Sequence, residues 1–103
     1  MEIKSITDKN ELLEVIIFLK SAFNWSKDKA FKLNKDLLKN NKSFGVYGYS
    51  LKNNKEVISG ALLLFYQGNF KYKSKNIKII NMSSWYVVPK MRGYGSLKMI
   101  KKL

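Results

Sequence analysis

The sequence predicts an α/β (α+β) domain: a mixed, mainly antiparallel sheet of about four strands, two helices near the N terminus and a further helix at the C-terminal end. Three observations lead there. Apolar residues recur at helical spacing between Asp8 and Leu38. From Phe44 to Val88 the pattern changes to apolar and aromatic runs separated by asparagine and glycine. The last of these runs then passes through a glycine loop into helix-like composition at Leu97–Leu103. With 103 residues, 46% of them hydrophobic and 14% aromatic, the chain suits a single domain over 1–103 built on one core.

Glu2 to Ile6 reads as a short strand, ended by Thr7 and Asp8. Asp8 followed by Glu11 has capping-box spacing, in which each side chain satisfies a free backbone N–H at a helix start. Leu12, Leu13, Ile16, Ile17, Lys20 and Phe23 then form one helical stripe, the lysine stem running along the apolar surface. The "NWS" at Asn24–Ser26 breaks this helix. Ser26 caps a second one, whose apolar positions are Ala30, Leu33, Leu37 and Leu38 and whose lysines are expected on a solvated outer face. "FGVYGYS", Phe44–Ser50, reads as a strand, and "KNNK", Lys52–Lys55, as a hairpin turn in which asparagine takes left-handed conformations. The return strand, Glu56–Tyr66, is nearly continuous in apolar residues from Ala61 onward, which predicts a central strand buried on both faces. A polar loop at Gln67–Asn69 and a last extended segment at about Lys75–Val88 complete the sheet.

Composition narrows the chemistry. There is no cysteine, hence no disulfide framework and no thiolate nucleophile or metal site, and no histidine, which removes the commonest general base and metal ligand. No metal is expected. Met1–Thr7 has no signal-peptide pattern, and the longest apolar run, Gly60–Tyr66, is too short to span a bilayer, so the expectation is a cytoplasmic protein with no membrane partner. Twenty basic residues against seven acidic ones give a net charge of +13, a field that attracts phosphates and nucleic acid. Arg92 is the only arginine, and an AT-rich genome yields the same lysine excess without any anionic partner.

The stretch richest in chemical content is "SSWYVVPKMRGYGSLKMIKKL". A strand ends at Val87, Val88 and the only proline, Pro89. Arg92-Gly93-Tyr94-Gly95-Ser96 follows and leads into the helix-like end. Glycines let a backbone turn sharply and approach a ligand, and a helix start offers free N–H groups and a positive dipole end to an anion. The arrangement is that of a phosphate cradle; a strand-to-helix turn that holds nothing uses the same residues.

Following two helices and a hairpin, "WYVVPKMRGYGS" resembles the acetyl-coenzyme A signature of the GCN5-related N-acetyltransferase (GNAT) family. The likeness covers the whole chain in element order and about Trp85–Lys98 in motif. It implies that the backbone of Trp85, Tyr86 and Val87 bonds the pantetheine arm, and that Arg92, Gly93, Tyr94, Gly95, Ser96, Leu97 and Lys98 hold the pyrophosphate of acetyl-CoA. It also implies transfer of an acetyl group to an amine acceptor that these residues do not identify. Members of the family carry glycine or alanine where Leu97 stands. The family fold continues with a strand, a helix and a final hairpin, so the resemblance makes this chain the N-terminal, cofactor-binding half of a site. A homo-oligomer or a completing C-terminal partner would supply the rest, covering an open fourth strand.

No carboxylate follows Glu56, which leaves Ser83, Ser84 and Tyr86 as the candidate catalytic groups, the serines as holders of a water; packing and hydrogen bonding are their ordinary roles. Two rival readings remain. "FKYKSK", Phe70–Lys75, alternates aromatics with lysines as single-strand nucleic-acid binders do, and as any half-buried strand does. A degenerate, non-catalytic acyltransferase scaffold would account for Leu97.

Overall fold

The structure, a computed structural model, describes residues 2–91. The chain runs β1 (Glu2–Ile6), α1 (Lys9–Phe23), α2 (Lys27–Asn40), β2 (Gly48–Lys52), β3 (Ile58–Tyr72), β4 (Lys75–Val87) and a 3-10 turn, Pro89–Met91. The strands form one four-stranded sheet in the order β1-β2-β3-β4, with every described pairing antiparallel. This is the expected α+β class. The expected C-terminal helix lies outside the described residues.

Both helices pack on one face of the sheet. Leu12, Val15, Ile16 and Leu19 of α1 and Ala30 and Leu37 of α2 close over Ile6, Ala61 and Leu63. Leu51, Leu62, Leu64 and Val87 are buried in a second cluster on the opposite face, with Ile3 and Tyr49 packed against them. Residues 61–64 are thus buried on alternating sides, as expected of a central strand. Each fully buried leucine contributes about 1.5–3 kcal/mol relative to exposure.

The helices differ in how well their ends and faces follow the sequence pattern. Ser26 caps α2 as expected, its hydroxyl accepting from the Lys29 N–H at 3.1 Å. Asp8 stands at the N-cap of α1, but its side chain makes no capping bond; only its carbonyl engages, accepting from the Leu12 N–H at 3.0 Å. Glu11 still favours the helix start through the dipole. The buried stripe of α1 is Leu12, Val15, Ile16 and Leu19, whereas Leu13 and Ile17, expected in the core, are 47% and 59% exposed. The two stripes have the same spacing, and contact with α2 and the sheet selects the one that includes Val15 and Leu19. Asn24 ends α1 in the left-handed conformation, φ 56°.

Past α2 the strand starts later than expected, at Gly48 rather than Phe44. Asn41, fully buried, holds the intervening segment: its amide donates to the Val46 carbonyl at 3.0 Å and the Leu64 carbonyl at 2.7 Å. Its oxygen accepts from the Tyr66 N–H at 3.0 Å. In the turn after β2 the asparagine acts through its side chain, Asn53 Oδ1 accepting from the N–H groups of Lys55 (2.8 Å) and Val57 (3.1 Å). The left-handed residue there is Glu56, φ 61°, not an asparagine.

Gln67–Asn69 is not a loop. β3 continues through it to Tyr72 with a bulge, Tyr66 facing Ile80 and Gly68 facing Ile79, so that Gln67 is the extra residue. Gly68 has φ 115°, which explains the glycine. The chain reverses at Lys73 and Ser74, both at positive φ (50° and 67°) as a two-residue hairpin turn requires. That turn interrupts the strand alternation expected across Phe70–Lys75.

Candidate functional site

The part of the expected site that lies among the described residues is the C-terminal end of β4. Leu62 of β3 faces Trp85 and Leu64 faces Met82, so Leu63 opposes both Ser83 and Ser84. This is a β-bulge on β4. An extra residue bends a strand, sharpens its twist and re-aims the side chains that follow. The two serine hydroxyls, one on an exposed and one on a half-buried residue, lie 3.4 Å apart.

Beyond the bulge the strand alternates again. Val87, 4% exposed, enters the cluster of Leu51, Leu62 and Leu64. Gly60 makes room for it, since a Cβ there would lie 3.1 Å from Val87 Cγ2. Tyr86 points to the helices, its ring edge-on to Phe23 (5.6 Å) and tilted against Phe18 (5.9 Å). Phe23 in turn stacks on Trp25 at 5.5 Å, and the Lys29 ammonium sits over the Trp25 ring at 5.0 Å. Trp85, on the Val87 side by alternation, is 36% exposed. The Val88 N–H donates to the Ser59 carbonyl at 2.8 Å, and Pro89, which has no N–H to give, opens the 3-10 turn.

Two clefts flank this strand end on the helix side. The larger, about 320 Å³, is lined by Trp25, Lys29, Lys32, Leu33, Asp36, Ser83 and Ser84. The second, about 220 Å³, lies between Phe18, Ser21 and Ala22 of α1 and Tyr86 and Val88. On the opposite face a hollow of about 230 Å³ is formed by Phe44, Tyr49, Leu64, Ile80 and Met82. Among the described residues no three His, Cys, Asp or Glu side chains stand together as a metal site, and no helix is long and apolar enough to cross a membrane.

The structure therefore brings Ser83 and Ser84 together with residues not selected from the sequence, Trp25, Lys29, Lys32 and Asp36; Tyr86 reaches this group through Phe23, while Trp85 and Val87 face the other side of the sheet. Arg92, Gly93, Tyr94, Gly95, Ser96, Leu97 and Lys98 lie outside the described residues. One signal for the missed group was present. Lys29, Lys32, Leu33 and Asp36 recur at i, i+3, i+4 and i+7, a single face of α2, although the lysines are expected on the solvated side and Leu33 on the apolar one. Compared with known proteins, the chain matches no family model, no curated protein and no solved structure.

Proposed function

We propose that the chain binds acetyl-CoA along the end of β4 and transfers the acetyl group to an amine, a second copy or further sequence supplying the other wall of the site. The observation that carries this reading is the bulge at Ser83–Ser84 in the terminal strand of the sheet, directly before Trp85, Tyr86 and Val87. An edge strand offers a row of N–H and C=O groups to an extended ligand, and the pantetheine arm, with its two amides, is such a ligand. The glycine loop from Arg92 to Lys98 then receives the pyrophosphate.

In the reaction the amine nitrogen attacks the thioester carbonyl, a C–N bond forms and the C–S bond breaks. The amine loses a proton and the departing thiolate gains one. In this reading Ser83 and Ser84, whose hydroxyls lie 3.4 Å apart, order the water that takes the amine proton.

The test is an amide NMR titration of the 103-residue chain with acetyl-CoA at low and moderate salt. Shifts concentrated at Trp85–Val87 and Gly93–Lys98 that survive the salt support the reading. Shifts spread over lysines that vanish once the Debye length falls to about 10 Å near 0.1 M salt refute it. Attraction of a polyanion by a +13 chain would then account for the binding, and the nucleic-acid and scaffold readings would take its place.

A further inference from the structure

We infer that the cleft between α2 and the β4 bulge is the acceptor subsite, and that its ligand is a small dicarboxylic amine of the acidic amino-acid kind. This rests on the acetyl-transfer reading above. The cleft has a definite charge pattern: two cations, Lys29 and Lys32, and one anion, Asp36, on one face of α2, opposite the hydroxyls of Ser83 and Ser84. Its charge complement is a molecule with two anions and one cation. A dicarboxylic amino acid at neutral pH has those groups.

The geometry suits that ligand in five respects. Lys29 and Lys32 are one turn apart on the helix, about 5–6 Å between Cβ atoms, a spacing that two carboxylates on one short chain can bridge. Lys29 is held over the Trp25 ring at 5.0 Å, which fixes a long side chain at one side of the cleft. Asp36 accepts hydrogen bonds from an ammonium group, and the half-buried setting strengthens them relative to open water. Trp25 and Leu33 provide the apolar wall for the methylene stem. The volume, about 320 Å³, falls at the small end of ligand pockets.

The cleft also adjoins the strand proposed to hold the thioester. Ser83 and Ser84 line it, and Trp85 is the next residue on the same strand, about 3.3 Å of rise away. Once the ammonium has given a proton to solvent through the water held by Ser83 and Ser84, the free amine meets a thioester lying along Trp85–Val87.

The experiment is an NMR titration of the 103-residue chain at moderate salt with L-glutamate, glutarate and 1,5-diaminopentane, reading the Trp25 indole N–H and the Ser83 and Ser84 amides. Glutamate is expected to shift these signals with at least about tenfold higher affinity than glutarate, which lacks the amine, or the diamine, which lacks the carboxylates. Lys32→Met and Asp36→Asn are each expected to lower glutamate affinity about tenfold. Neither should alter the acetyl-CoA response at Trp85–Val87. A diamine that binds as well as glutamate, or no glutamate response at Trp25 and the serines, overturns the inference. If acetyl-CoA binds while glutamate does not, the acceptor assignment alone fails. If glutamate binds while acetyl-CoA does not, the transferase reading fails and takes with it the role of the cleft as an acceptor site.

Discussion

Replacing Asn41 with alanine removes the side chain that takes over where β2 ends. The last β2–β3 rung is Gly48 against Leu63, and the next N–H, that of Leu64, goes to the Tyr47 carbonyl at 2.9 Å. From there the carboxamide of Asn41 serves β3 in place of a strand, satisfying the Leu64 carbonyl and the Tyr66 N–H while it also holds Val46. Truncation leaves the buried Leu64 carbonyl bare, at about 1–3 kcal/mol, and costs about 0.5–1.5 kcal/mol at each of the two half-buried partners, which regain some water. We expect a loss of about 4 kcal/mol, a large share of the roughly 5–15 kcal/mol that holds a domain folded. With a urea m-value of about 1.3 kcal/mol/M for a chain of this size, the unfolding midpoint falls by about 3 M.

Asn41→Asp separates the donor contribution from the acceptor contribution. It keeps the acceptor for Tyr66 but turns oxygen toward the carbonyls of Val46 and Leu64. Burial raises the folded-state pKa of the introduced carboxyl above its unfolded value of about 3.9. Stability is therefore retained below about pH 4 and lost as pH rises through the folded-state pKa. The gap between N41D and the wild type should widen from acid toward neutral pH in urea melts followed by circular dichroism. A midpoint change under about 1 M for N41A, with m unaltered, would refute the surrogate-strand account.

Other expected outcomes follow from single positions. Gly48 has φ 150°, and a Cβ there would run into the Leu62 carbonyl oxygen and stand 2.9 Å from Leu63 Cα, so Gly48→Ala should cost more than about 3 kcal/mol and abolish amide dispersion in an NMR spectrum. Glu56 pays for a left-handed φ of 61° in an exposed turn; Glu56→Gly should gain about 1 kcal/mol and raise Tm by several degrees in a thermal scan. Ile80, Met82 and Trp85 are 38%, 57% and 36% exposed on the terminal strand, so the purified chain should self-associate in sedimentation velocity, and Met82→Lys should shift it toward monomer. A monodisperse monomer at high concentration would count against edge-mediated assembly.

The parts of this fold that were legible are those where local chemistry and tertiary contact agree. Ser26 is a strong cap beside a clear apolar stripe, and α2 forms as its sequence indicates. The run Ala61–Leu64 is apolar on both sides because both sides are covered. Where two local solutions have similar energy, the sequence does not choose between them. On α1 the stripe through Leu13 and Ile17 competes with the stripe through Val15 and Leu19, and contact with α2 and the sheet decides. Gln67-Gly68-Asn69 satisfies the rules for a loop and equally for a bulge within a strand, and pairing with β4 selects the bulge. The candidate site divides in the same way. Ser83 to Val87 are visible as a strand ending in proline, a local signal. Lys29, Lys32 and Asp36 share one face of α2 by their spacing, but they reach the serines only through the packing of α2 on the sheet.

The sheet order has a consequence for how the chain assembles. β2 pairs with β3 and β3 with β4 through short turns, so this meander closes small loops and can form within microseconds to milliseconds. β1 meets β2 only after both helices have been spanned, and the loop-closure entropy of that step is the largest in the sheet. During synthesis the order of events is reversed. β1, α1 and α2 emerge first, with Leu12, Ile16, Leu19 and Leu37 exposed until Ala61 and Leu63 arrive to cover them. A chain refolding from denaturant has its meander available from the start, whereas a nascent chain carries two uncovered helices ahead of it, so the two processes present different apolar surfaces to a chaperone.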